Sequence, residues 1–457
     1  MAEAKNAEAP LRSQKDPDTL TNSNQITRVR TPVETAIDAE ATPGLSSDSE
    51  EKAADVPEPP PNGGLQAWLQ VVGSFFLFFN SWGTINSFGL FQTYYENNPY
   101  WTETPSNISW IGSIQAYLLL MVGVFSGPIY DMGYFRTLIV TGSFLVPFGF
   151  MMTSLCREYW QVVIAQGIVV GLGNGFLFVP SVAILPQYFT THKALANGLA
   201  AAGSSCGGIV YPIMFRSLQQ SVGFGWATRS IAFVALGTSM ISISLMKQRV
   251  MPKQKRKLWD FDAFKEAPYT LYCVAMFLAF AAFYGPVYYI QPYAISEAIT
   301  TEAFAFYLLP ILNAASVPGR ILPNFAGDYI GPMNVLVPAS FMTGVMALAW
   351  TGVHTFGGII TWACFYGLFS GAFVSIAPVG VVALTADMRK IGTRMGQSFF
   401  ISSFGLLVGT PVTGAILSST GKWLGPQLFS GFVLMATASS FLACRYYQVG
   451  MKLMVKV

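Results

Sequence analysis

Along this 457-residue chain the hydrophobic positions fall in long unbroken runs rather than in amphipathic stripes. A bilayer core takes about 20 residues of helix to cross. Twelve runs reach that scale, at 66–93, 108–130, 137–155, 160–186, 194–216, 226–246, 269–293, 303–326, 334–352, 357–384, 394–418 and 426–446. Between the sixth and seventh lies "KQRVMPKQKRKLWDFDAFKEAP", residues 247–268, the one long polar stretch after residue 61. The pattern predicts an all-α membrane protein with twelve transmembrane helices in two six-helix bundles, 62–246 and 269–446, joined by a cytoplasmic linker. Residues 447–457 read as a short cytoplasmic tail.

Residues 1–61 are a different material, rich in Ala, Glu, Asp, Ser, Thr and Pro and closing on "VPEPPP". Too few apolar groups are present to offset chain entropy, so this tail is expected to be disordered and cytoplasmic. It lacks the basic start and short apolar core of a secretory signal.

Composition agrees: 52% of residues are hydrophobic, 11% are charged and the mean hydropathy is +0.46, against about 25% charge in a typical soluble protein. The net charge of +3 conceals a division, since residues 1–61 hold 6 basic and 12 acidic side chains and the remainder 20 and 11. Lysine and arginine in short loops set orientation. With the amino terminus inside, the inner loops and carboxyl end carry 15 basic residues against 4 outside, Arg157, Arg216, Arg229 and Lys422. Both termini are then cytoplasmic. The "NIS" at Asn107 falls outside but abuts the second run, too close to the bilayer for glycosylation to be expected there.

Candidate chemistry narrows the picture mainly by exclusion. The five cysteines are far apart and give neither a disulfide framework nor metal-ligand spacing, and the two histidines, His192 and His354, form no clamp. No phosphate-cradling loop, nucleophile elbow or aromatic-interleaved basic surface is present, so neither an enzyme nor a nucleic-acid partner is expected, and no cofactor or metal. An unusual feature is "YFTTHKALANGLAAAGSSCGG", residues 188–208. Glycine costs a helix about 1 kcal/mol relative to alanine. A row of small residues nevertheless suits a membrane helix whose backbone must lie close to a neighbour's.

The halves echo each other. "GPIYDMGYFR" (127–136) follows the second run and "GDYIGPMN" (327–334) follows the eighth, each setting Asp and then Gly in a very short loop. That is the parallel repeat of a two-bundle transporter. The first loop resembles the signature of the major facilitator superfamily, with Gly127, Asp131, Gly133 and Arg136 filling it loosely and Met132 in place of the usual central basic residue. "GGLQAW" leading into "NSWGTINSFGLFQTYY", together with "YFTTHKALANGLAAAGS", "GRILPNFAGDYIG" and "GTRMGQSFF", resembles the monocarboxylate porter family, particularly its fungal members, over residues 62–446.

Arg320 is the one charged residue predicted inside a run away from its ends, and its cost in hydrocarbon turns it toward the bundle interior. A guanidinium there suits a bidentate grip on a carboxylate; the resemblance places Arg320 on the family's substrate-carboxylate arginine. The animal lactate porters carry a proton-coupling lysine and aspartate where this chain has Asn86 and Ser316. With Asn313, these two can still hydrogen-bond a substrate. In the seventh run, Gly285-Pro286 is expected to break or bend the helix. Phe280, Phe283, Tyr284 and Tyr288 lie near it as candidate cavity rings. For gating, pseudo-symmetry brings Asp131, beside Arg136, toward the start of the eleventh run near Gly392 to Arg394, and Asp328 toward the start of the fifth near His192 and Lys193.

One arginine among several rings favours an amphipathic organic acid or secondary metabolite, carried outward by alternating access in the plasma membrane, with protons the candidate coupling ion. Two other readings remain: a proton-coupled importer of short monocarboxylates or a vitamin-like anion, and a transporter-like nutrient sensor without flux. Sensors of that kind tend to carry long cytoplasmic extensions.

Overall fold

A computed structural model of the chain describes residues 61–97, 103–249, 259–385 and 390–450, with 452 and 455, except the side chains of Asp131 and Ile391. The described residues are predominantly helical, and no strand occurs among them. Ten helices are long and apolar enough to cross a membrane. That count takes Lys193–Leu245 once and omits the segmented first helix, so the described chain accommodates twelve crossings.

The first helix, α1, was expected as a single run but is built in three pieces, Leu65–Asn80, Trp82–Asn86 and Phe88–Glu96, interrupted at Ser81 and Ser87. Side-chain hydroxyls fold back onto the carbonyls around the breaks: Ser81 donates to Leu77 O at 2.7 Å, Thr84 to Ser81 O at 2.8 Å and Ser87 to Gly83 O at 2.7 Å. Serine and threonine bonds of this kind let a helix break inside lipid without stranding polar backbone.

Next come α2 (Pro105–Asp131), α3 (Phe135–Thr153) and α4, which runs Tyr159–Val162, a π stretch Val163–Val170 and Gly171–Ala183. Lys193–Leu245 spans 53 residues, but Gly223 stands at φ 78° and ψ 172° and turns it back on itself. The loop expected around 217–225 is thus a single glycine, in a conformation where a side chain would be strained. The two arms, α5 (193–222) and α6 (224–245), lie against α1 in opposite directions. Gly207 packs on Phe79 and Gly83 of α1, while Ser242 of α6 donates to Gly73 O.

The second set comprises α7 (Ala267–Ser296), α8 (Leu308–Ile330), α9 (Pro332–Ala349), α10 (Phe356–Ala383), α11 (Ile391–Thr420) and α12 (Leu424–Val449). Of the break or bend expected at Gly285-Pro286, the break is absent: α7 continues as helix through both residues. Groups from other helices pack against this stretch. The Tyr366 hydroxyl donates to Phe283 O at 2.9 Å, and Ser430 and Thr413 close on the bare face of Gly285. The linker expected over 247–268 ends in a short 3₁₀ turn, Phe261–Lys265; residues 250–258 lie outside the described ones.

The two short repeat loops turn alike, with Gly133 at φ 90° and Gly331 at φ 98°. Large apolar side chains such as Phe144, Phe233, Phe432 and Leu442 point outward and stay exposed. In water that surface would be an aggregation liability; against acyl chains it is the ordinary exterior of a multi-pass membrane protein.

The glycines of α5 do what their spacing implies. A Cβ on Gly207 would stand 2.5 Å from Phe79 O and 2.8 Å from the Gly83 Cα, and one on Gly203 would collide with the Phe75 carbonyl. On the other side, a Cβ on Gly198 would stand 2.6 Å from Arg320 O and one on Gly208 2.5 Å from Asn313 Oδ1. One helix therefore lies backbone-close to α1 of its own half and to α8 of the other. Gly207→Val should destabilise the protein by about 1–3 kcal/mol through overpacking and lower its thermal midpoint in detergent. Gly237→Ala, where a Cβ meets nothing within 4 Å, should leave the midpoint unchanged or raise it through helix propensity.

Candidate functional site

Both halves meet along α5 with α8 and α2 with α11. Four features of that interface define the site, from the end bearing the linker to the far end. At the linker end, Asp328 at the foot of α8 accepts hydrogen bonds from the Ala194 and Leu195 backbone N–H groups, both at 3.1 Å. These are unsatisfied donors of the first turn of α5, where the helix dipole also favours a carboxylate. One side chain of the second half thereby caps a helix of the first. Lys193 begins that same turn, and Arg136 lies exposed on the first turn of α3. Asp131, its expected counterpart, has its side chain outside the described residues. Near α11, Arg394 is engaged from its own half: its guanidinium bonds both carboxylate oxygens of Glu266, and Asp260 lies 3.6 Å from its Nε.

Above this closure sits a cavity holding Arg320. The side chain is 5% exposed, its Nε has no hydrogen-bond partner, and among the described residues no carboxylate pairs with it. The cavity has about 30 Å³ of free volume, room for one or two waters. Rings wall it: Trp82 stacks on Phe280 at 6.0 Å between the halves, and Phe178 meets Phe399 at 5.4 Å. Asn197 and Ser375 complete a polar edge, with Asn197 donating to Ser375 O at 3.1 Å and Asn324 to Ser375 Oγ at 2.7 Å.

Of the side chains expected around the arginine, Phe280 alone lines this cavity with it. The others form a plug one layer toward the far end. Tyr284 donates to Asn86 Oδ1 at 3.0 Å, Tyr288 to Ile85 O at 3.2 Å, and the Ser316 and Ser205 hydroxyls meet at 2.6 Å. Asn313 turns its amide back to Leu309 O and packs against Gly208, while Phe283 lies among Tyr284, Tyr366 and Phe373. The cavity residues that sequence reasoning missed, Trp82, Phe178, Asn197, Ser375 and Phe399, are scattered over five helices. The two polar ones carried a signal, polarity within an apolar run, as in Asn197 of "ALANG"; the three rings carried none.

At the far end a cleft of about 340 Å³ opens between the halves, lined from α1, α5, α7 and the approach to α8. On the α2–α11 contact, Ser106 in the first turn of α2 donates to Pro411 O at 3.2 Å and Ser113 bonds Thr410, holding α2 to α11. The arrangement offers a buried cation and an aromatic wall in a cavity shut by Asp328 toward the linker end and by the plug toward the far end, which suits the binding of an anion.

The Major Facilitator Superfamily pattern matches residues 71–366, well over half the chain. The chain belongs to that superfamily. It is similar to the MFS-type transporter dbaD of Emericella nidulans, 48% identical over 385 residues that cover 84% of this chain and 86% of the relative. An MFS-type transporter of Gibberella zeae is 39% identical over 410 residues, 89% of this chain and 92% of the relative. The aspyridones efflux protein apdF of Emericella nidulans is 36% identical over 379 residues, 83% of this chain and 77% of the relative. The superfamily and these relatives are transporters rather than enzymes.

The cap made by Asp328 gives a test of the closure. Replacing it with Asn removes the charge and leaves one acceptor oxygen for the two N–H donors, a loss of about 1.5–3 kcal/mol, so the linker end should open about ten- to a hundredfold more often. In a background retaining Cys206 alone, which is half-buried on α5, maleimide labelling of Asp328→Asn should accelerate by that factor.

Proposed function

We propose that this chain is a secondary transporter that exports an amphipathic organic acid or secondary metabolite across the plasma membrane by rocking two six-helix bundles. The observation that carries the reading is Arg320, a buried guanidinium with no carboxylate partner among the described residues, facing a ring-walled cavity between the halves. Keeping a charge unpaired in low dielectric costs several kcal/mol. A site that tolerates the cost has its counter-ion supplied by the substrate. Trp82, Phe178, Phe280 and Phe399 match an apolar body rather than a two- or three-carbon acid, and the relative named for aspyridones efflux supports outward movement.

On this reading the linker end is cytoplasmic, as the basic loops require, and so are both termini. With Asp328 closing the linker end and the plug separating Arg320 from the cleft, the conformation is an occluded one with its outer cleft open. Kinship with fungal monocarboxylate porters fits the placement of Arg320. Asn86 and Ser316 are engaged with Tyr284 and Ser205 and carry no titratable group, so a proton-coupling pair at these positions is not part of the proposal.

Losing charge-assisted hydrogen bonds worth about 1.5–3 kcal/mol should cost Arg320→Gln about tenfold or more in export, with Arg320→Lys intermediate because it keeps charge without the bidentate fork. Efflux of an aromatic carboxylate from cells expressing each variant at equal surface level measures this. A wild-type rate in Arg320→Gln would remove the arginine from the mechanism.

A further inference from the structure

The far-end cleft is the larger cavity of the two, at about 340 Å³ against about 30 Å³ around Arg320. The central cavity has no space for an organic acid in this state, whereas the cleft has space for one of two fused rings. Its walls are chemically mixed. Phe215 and Tyr94 come from the first half, Phe306 from the second, and Arg216 on α5 reaches across to lie over the Phe306 ring with its Cζ 5.3 Å from the centroid. Among the described residues no carboxylate lies within ion-pair distance of Arg216. Glu302 stands on the exposed rim of the same cleft.

We propose that this cleft is a second binding site for an amphipathic organic anion, placed on the exit side, where Arg216 binds the carboxylate and Phe215, Tyr94 and Phe306 take the apolar body. A guanidinium stacked on a ring keeps its edge donors free, and those edges are the ones that grip a carboxylate bidentately. Stacking also fixes the side chain, so less rotamer freedom is lost when the anion arrives. Glu302, in contact with solvent, repels the carboxylate weakly through screening and accepts a hydrogen bond from a ligand hydroxyl, which selects acids that carry one. The site gives the substrate somewhere to go when the rings close around Arg320. Two sites of moderate strength pass a charged ligand onward, where one strong site would hold it. The anion class rests on the transport reading above; the location and the role of Arg216 rest on the cleft itself.

The test uses the full chain in lipid nanodiscs, titrated calorimetrically with 6-hydroxy-2-naphthoate and, as the neutral control, 2-naphthol. Naphthoate should bind the wild type, Arg216→Gln should weaken it by about tenfold or more, Arg216→Lys by less, and Phe306→Leu should weaken it without changing charge. Affinity for 2-naphthol should be weak and indifferent to Arg216. Unchanged naphthoate affinity in Arg216→Gln, equal affinity of the wild type for naphthoate and naphthol, or no binding at millimolar concentration would each overturn the proposal. Should Arg216→Gln fail to give monodisperse protein, Arg216→Lys and Phe306→Leu decide it, since unaltered affinity in both would also overturn it. Arg320→Gln separates the two readings: export lost with naphthoate binding retained supports both sites. Naphthoate binding lost in Arg320→Gln but kept in Arg216→Gln puts the ligand at the central site and overturns the second one.

Discussion

Everything in this molecule depends on how closely α5 approaches its neighbours. Lipid offers no hydrophobic gain for pressing two helices together, so their association rests on packing and on hydrogen bonds made at short range. Gly203 and Gly207 bring α5 onto the α1 backbone, and Gly198 and Gly208 bring it onto α8. Because the same helix makes both approaches, the first half cannot shift internally without disturbing its contact with the second. The seam also sets the depth at which polar groups face one another: Ser205 meets Ser316 and Asn197 meets Ser375 because no side chain larger than glycine holds the helices apart.

That closeness produces the electrostatic situation of the central cavity. Arg320 sits one face away from Gly198, and with the seam shut its guanidinium is withdrawn from water. A chain built for stability alone would place an acid beside it or dispense with the charge. Here the neighbours are rings, amides and hydroxyls, which shape a pocket and orient a ligand but leave the positive charge uncompensated. The strain of the closed state is therefore concentrated at one group, and a carboxylate arriving at that group relieves it.

Much of this was legible in the sequence, and what was not failed for physical reasons. The all-helical membrane character and the buried charge on α8 follow from run length and the cost of ions in hydrocarbon, which act along the chain. The glycine row of α5 was legible because small residues at four-residue spacing have one use in lipid. Local rules could not foresee that α7 stays helical through Gly285-Pro286, since the groups that pack on that stretch, Tyr366, Thr413 and Ser430, come from distant sequence. They equally missed the breaks at Ser81 and Ser87, where hydroxyls replace backbone bonds inside a run that reads as continuous. Ring positions in α7 could not be sorted into cavity and plug because that helix is buried on nearly every side and its periodicity carries no direction. Arg394 has Glu266 and Asp260 beside it, residues whose linker position gave no hint of that proximity.

The placement of the polar contacts along α5 and α8 bears on how such a body moves. At the linker end two hydrogen bonds run from α5 backbone to Asp328, at mid-height the Ser205 and Ser316 hydroxyls touch, and at the far end the helices part around Arg216. Hydrogen bonds at one end and in the middle, with a ring contact of Arg216 on Phe306 across the cleft at the other, describe two rods tilted about a central point. On the transport reading, rocking the other way parts Asp328 from the α5 terminus and closes the cleft, while the serine contact near the pivot moves little. Charged-group hydrogen bonds of the Asp328 type are worth about 1.5–3 kcal/mol each, comparable with what a carboxylate gains on meeting a buried guanidinium. A ligand can shift a two-state balance only by its difference in affinity for the two states. The closure and the central arginine are thus matched in scale, so that an anion binding from the linker side offsets most of what holding that end open costs.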